Sequence, residues 1–174
     1  MMSKGKIRKS MIGYRAATVL FAVLICFTVF PVSAASPSAS SVVASMKKKI
    51  GSSKFPFSSS NAISSSRRVF GVTVSDMDSY QAYEKTTGSG SDKVEYIVFV
   101  GKAKSKSAAK SAKSSLKKYI KNESESMSSY LSSTGKKVFK GAQIGYKKEY
   151  VWAVMLKSKS VNKDAVKAVK KAIG

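Results

Sequence analysis

The sequence predicts an α+β fold: an N-terminal signal segment, then a two-layer domain of order ββαββα, with a four-stranded antiparallel sheet and helices packed on one face. Three observations lead to this reading. Val94 to Val100 alternates between two sets of side chains at a period of two. Apolar residues recur at three- and four-residue spacing over residues 105–131 and again over 161–173. The connections between the strand candidates are short, which favours hairpins over crossovers.

The chain opens with Lys4, Lys6, Arg8, Lys9 and Arg15 and no acid to balance them. An almost unbroken apolar run follows from Ala16 to Phe30, then Pro31, then Val32-Ser33-Ala34 ahead of Ala35. A basic start, an apolar stretch and small residues in that order make a secretory signal, with cleavage expected at Ala34 or Ala35. The run is about 15 residues long, short of the roughly 20 that a membrane-spanning helix needs. The competing reading, an uncleaved anchor over Ile12 to Phe30, would place Arg15 inside the span. Cys26 is the only cysteine. Ile25 precedes it and apolar residues follow it, so it is read as a passive apolar residue and not as a lipidation site. The working protein is therefore expected outside the cytoplasm, secreted or at the cell surface.

Removing 34 residues from 174 leaves 140, enough for one domain with its own core. That remainder has no cysteine, so no disulfide supports it. Five of the 32 basic residues leave with the signal, so 27 face 9 acids, a net charge of +18. Only Arg67 and Arg68 among those 27 are arginines. Lysine is a hydrated point charge, whereas arginine is the usual choice for bidentate recognition. The charge thus reads as long-range attraction to polyanions, or as solubility, rather than as a shaped phosphate site.

Along the remainder, residues 35–68 are expected to hold a short helix and a serine-rich linker, and residues 69–174 the α+β domain. Ser36 to Ser41 reads as a tether. Val42, Val43, Met46 and Ile50 share one helix face, and Gly51 would end that helix. Ser52 to Ser66 reads as loop, because serine side chains compete locally for backbone hydrogen bonds, with Phe55 and Phe57 as pins. Tyr80 to Thr87 and Val94 to Val100 are strands around the turn Gly88-Ser89-Gly90. Ser105 to Leu131 is one long helix, bent near Asn122 and stopped by Gly135. Val138 to Tyr146 is a strand weakened by Gly141 and Gly145. Lys147-Lys148 turns the chain into Tyr150 to Leu156, which is apolar on both faces and so placed centrally in the sheet. Val161 to Ile173 is the closing helix, with Asn162 or Ser160 as its N-cap and Lys163, Lys167, Lys170 and Lys171 facing out.

Several strings occur in an order that resembles a family of exported bacterial proteins known as domain of unknown function 4358. They are Lys54-Phe55-Pro56-Phe57, Val69-Phe70-Gly71-Val72, and Asp92 to Phe99. Further on come Ser129-Tyr130-Leu131, Gly141-Ala142-Gln143-Ile144, and Tyr150 to Val154. The likeness spans roughly residues 54–173. Members commonly resemble lipoproteins with acidic or mixed surfaces. This chain departs from them in lacking a lipidation cysteine and in being strongly basic. The resemblance implies export and carries no established activity.

The residue inventory argues against an enzyme and implies no cofactor. There is no histidine, and no cysteine beyond Cys26, which excludes His-based general bases, Cys nucleophiles and the common zinc sites. Asp76 and Asp78 lack the other ligands of a calcium loop. Glu123 and Glu125, two apart on a helix, point different ways. Ser-x-x-Lys occurs seven times, as at Ser107 to Lys110 and Ser133 to Lys136, a frequency that the abundance of both residues explains. No catalytic or metal-binding residue is assigned. The Asn122-Glu123-Ser124 sequon is incidental, and Gly88-Ser89-Gly90 opens no helix and so is no dinucleotide fingerprint. Trp152 and the strand tyrosines are expected in the core.

What remains is a lysine stripe. Lys106, Lys110, Lys113, Lys117 and Lys121 fall within about 80° on the long helix, beside its apolar face. Five like charges repel one another, and an anionic partner would relieve that; the alternative is a solvated helix face in a lysine-rich chain. The sequence thus points to a non-enzymatic binding module at the cell surface, its partner unknown. The alternative function is electrostatic adhesion to anionic cell-wall polymer or a membrane surface through the lysine faces. Nucleic acid is the weaker candidate, and no metal is expected.

Overall fold

The structure is a computed structural model, and it describes residues 36–64 and 67–174. The signal segment, its cleavage site at Ala34 and Ala35, and Cys26 lie outside the described residues. Helix α1 (Ala39–Ile50) comes first, followed by two 3-10 turns and a two-stranded hairpin of β1 (Arg68–Val69) and β2 (Val72–Thr73). Then follow β3 (Met77–Thr87), β4 (Val94–Ala103), α2 (Lys106–Ser126), α3 (Ser133–Lys140), β5 (Gln143–Lys147), β6 (Tyr150–Met155) and α4 (Lys159–Ala172).

The protein is α+β, and its main sheet is four-stranded and antiparallel in the order β3-β4-β6-β5. β3 and β4 form the expected hairpin, with Thr87 opposite Val94 and Gly88 at φ 81°. β6 lies between β4 and β5, as its two-sided apolar sequence requires.

The helices do not share one face. Ile97, Phe99, Val151, Ala153 and Met155 pack with α2 and α3 in one core. Val98, Val100, Tyr150, Trp152 and Val154 pack with α1 and α4 in a second. The sheet is therefore the middle of three layers, which corrects the two-layer expectation. The reason lies in β4 and β6, whose alternating positions are apolar on both sides, so each face needs a helical cover. The cover for the second face begins with α1. Residues 35–174 form one compact unit, and Ala39, Val42, Met46 and Ile50 belong to its second core. The described part of residues 35–68 thus belongs to the domain's packing and is no mere linker. Ser38 is not tether but the N-cap of α1, and Phe55 and Phe57 are buried against Tyr83.

All four helices start on a serine whose hydroxyl accepts a backbone N–H: Ser38, Ser105, Ser132 and Ser158. Asn162 and Ser160 therefore do not cap α4. Asn162 is fully buried, accepts from Leu156 N at 2.8 Å and donates to Gly141 O at 2.9 Å, tying α4 to the ends of β6 and α3.

The long helix also ends earlier than its apolar stripe suggests. α2 stops at Ser126, Tyr130 is 60% exposed, and Leu131 is buried where it bridges Lys93. Residues 133–140 then form α3, not loop and strand, because Ser132 caps a turn whose Val138 and Phe139 face inward. Gly135 sits inside that helix. A Cβ there would lie 2.6 Å from Lys93 O, so the glycine allows close approach to β4 and does not stop a helix. The final hairpin turns at Lys148-Glu149, one residue later than expected, with Lys148 at φ 54°.

Candidate anion-binding groove

β5 is an edge strand, and α2 and α3 on one face and α4 on the other flank it with lysines. A cavity of about 510 Å³ between α2 and α3 is lined by Lys117 and Lys121 from α2 and by Lys136 and Lys140 from α3. In each helix the two lysines are four residues apart, one turn, or about 6 Å along the axis. All four are exposed. Ile120, Phe139, Ala142 and Ile144 form the apolar floor between these rows. Glu125 is the acid lining this cavity, and its carboxylate lies 3.6 Å from Lys121 Nζ in a solvent-exposed pair. Such a pair contributes about 0.3–0.5 kcal/mol and leaves the local charge positive.

Ile144 also lines a second cavity of about 220 Å³. Lys113 and Lys170 reach it from α2 and α4. Lys113 Nζ lies 5.3 Å from the centre of the Tyr146 ring, and Lys170 Nζ lies 6.0 Å from that of Trp152. These contacts hold two otherwise mobile stems against aromatic faces. Gly145 is the residue on β5 that lets Trp152 lie flat there, since a Cβ would come within 2.5 Å of the indole.

The structure therefore divides the stripe on α2. Lys113, Lys117 and Lys121 line the groove, while Lys106 and Lys110 line neither cavity. It also adds Lys136, Lys140 and Lys170. The first two were missed because their segment read as loop and strand; their spacing of four is a helical signal once Ser132 is recognised as a cap. Lys170 was read only as an outward residue of α4.

Most of the remaining acids lie away from the groove. Asp78 makes a long 4.0 Å pair with Lys102. Glu123 and Glu125 diverge, Glu125 toward Lys121 and Glu123 toward the core side of α2. There Glu123 and Glu84 face Glu95, which is 3% exposed and has a buried Oε1 without a hydrogen-bond partner among the described residues. Burial first, then the charges of Glu84 and Glu123, pushes the Glu95 carboxyl up to about 7. Burial and the same carboxylates raise the Tyr119 phenol. Among the described residues no group of three or more acidic, histidine or cysteine side chains could hold a metal ion. Trp152 and Tyr150 are buried, so neither offers a face for stacking on a base.

No protein-family model matches the chain, and no curated protein or solved structure is significantly similar to it.

Proposed function

We propose that the chain is an exported, non-enzymatic module that binds at the cell surface by electrostatic adhesion to an anionic polymer. The single observation behind this is the groove beside β5, where Lys113, Lys117, Lys121, Lys136, Lys140 and Lys170 come together from three helices around one acid, Glu125. The net charge of +18 beyond the signal adds long-range attraction, which raises the local concentration of any polyanion. Export rests on the basic start, apolar run and small residues before Ala35, and kinship with the exported family of unknown function 4358 rests on the order of the matching strings. Among the described residues no helix is long and apolar enough to cross a membrane.

Two measurements test this reading. Mass spectrometry of the protein from culture should find a mature N-terminus at Ala35 or Ser36. A full-length chain retained in the cytosol would overturn export. Co-sedimentation with an anionic and a neutral polysaccharide of equal mass should recover the protein with the anionic one alone. Equal recovery with both would overturn electrostatic adhesion.

A further inference from the structure

We infer that the groove beside β5 seats one extended phosphodiester chain whose phosphates are joined by short polyols. This inference rests on the polyanion reading above and names its ligand.

Four features of the groove select that chemistry. First, the lysines form two facing rows, Lys117 and Lys121 opposite Lys136 and Lys140. A ligand that touches both rows must lie between them. A nucleic-acid duplex or a flat membrane surface meets the exposed lysine tips and leaves the apolar floor between the rows uncontacted. Second, the charges that bind it must lie on the ligand's own backbone. Lysines one turn apart stand about 6 Å apart along the axis, so charges on the ligand's own backbone can meet successive lysines of a row. A polymer carrying carboxylates on side branches would need room for those branches. Third, the contacts are lysine ammonium groups, which bind phosphate oxygens as point charges and impose no planar bidentate geometry. Fourth, the floor of Ile120, Phe139 and Ile144 offers apolar surface to the carbon segments between charges, and no open aromatic face to a base. Phe139 is 6% and Trp152 3% exposed, and Lys113 lies over Tyr146. A single-stranded nucleic acid would gain its usual stacking from none of the three. Lys113 and Lys170 line the neighbouring cavity at the β5 edge, beyond Ile144.

The test compares four probes at one ionic strength: poly(glycerol phosphate), oligothymidylate, polyglutamate and vesicles containing phosphatidylglycerol. The protein should bind poly(glycerol phosphate) at least several-fold more tightly than the others, matched for charge. The double variant Lys117→Glu with Lys136→Glu should weaken that binding tenfold or more. A control of equal charge change, Lys48→Glu with Lys163→Glu, places its changes on exposed positions outside the groove and should weaken it less than threefold. Amide chemical-shift changes on adding poly(glycerol phosphate) should concentrate in residues 117–121, 136–146 and 170. These report the site even if a variant folds poorly. Equal losses in both double variants, or shifts spread over the surface, would overturn the groove while leaving general polyanion adhesion standing. Oligothymidylate, polyglutamate or vesicles bound as tightly as poly(glycerol phosphate) would overturn the ligand class. Failure to bind any of the four would overturn the polyanion reading as well.

Discussion

Glu95 is a residue whose chemistry departs far from its exposed form. It occupies an inward position of β4, opposite Thr86, with Glu84 two residues from Thr86 on β3 and Glu123 above it on α2. In the unfolded chain its carboxyl titrates near the ordinary value of 4.5, and in the folded protein near 7. Because the folded value is the higher one, folding favours the protonated form. The stability this provides is complete below about 4.5 and is lost as pH rises to about 7. The loss should be on the order of 3 kcal/mol. Glu95→Gln stays neutral throughout, so its stability should change little over that range and should exceed that of the parent protein at pH 8. Urea melts of both proteins at pH 5 and pH 8 would check this, and parallel pH curves would reject it. The sequence offered no sign of this site: Glu95 sits among valines and aromatics in a strand whose other side also proved buried. Asn162 is a second residue whose role depends on context. It was legible as a polar residue near the start of a helix, but the contacts to Leu156 and Gly141 come from elements distant in the chain. Asn162→Ala should cost about 2–5 kcal/mol, since it orphans a buried N–H and a buried C=O. A calorimetric Tm near that of the parent would contradict it.

At the scale of elements, the strands and α4 were legible because their periods were clean and their turns short. β3 and β4 gave alternation around Gly88, and α4 gave one apolar stripe. The segment between α2 and β5 was harder. Val138 and Phe139 are β-favouring residues that tertiary packing holds in a helix, and Gly135 looks like punctuation although its task is contact with Lys93 O. The layer assignment also failed at this scale, because α1 was read as leading structure and not as a cover for the sheet. Half of the candidate site was visible for the same reasons. The stripe on α2 was plain from its spacing, whereas Lys136 and Lys140 became partners only once α3 existed. Gly135→Ala tests the link between packing and site. The added methyl would press on the Lys93 backbone and cost about 1–3 kcal/mol. It should also shift α3 and lower poly(glycerol phosphate) affinity, without any change of charge. Unchanged affinity in a folded Gly135→Ala protein would mean that the α3 lysines need no fixed position.

For the whole molecule, the three-layer arrangement explains how a chain with a strong positive excess stays folded. The sheet is apolar on both faces, the helices cover it with one stripe each, and the lysines are left to the outer surfaces, where water screens their repulsion. Where α2, α3 and α4 meet the β5 edge, that outer charge is concentrated into one groove. Adhesion driven in this way releases counterions, so its strength must depend on salt. The most direct measurement is the slope of log K against log salt for poly(glycerol phosphate), taken between about 50 and 200 mM. With several lysines engaged, a straight line with a slope of about −3 or steeper is expected. A slope near zero would contradict the account.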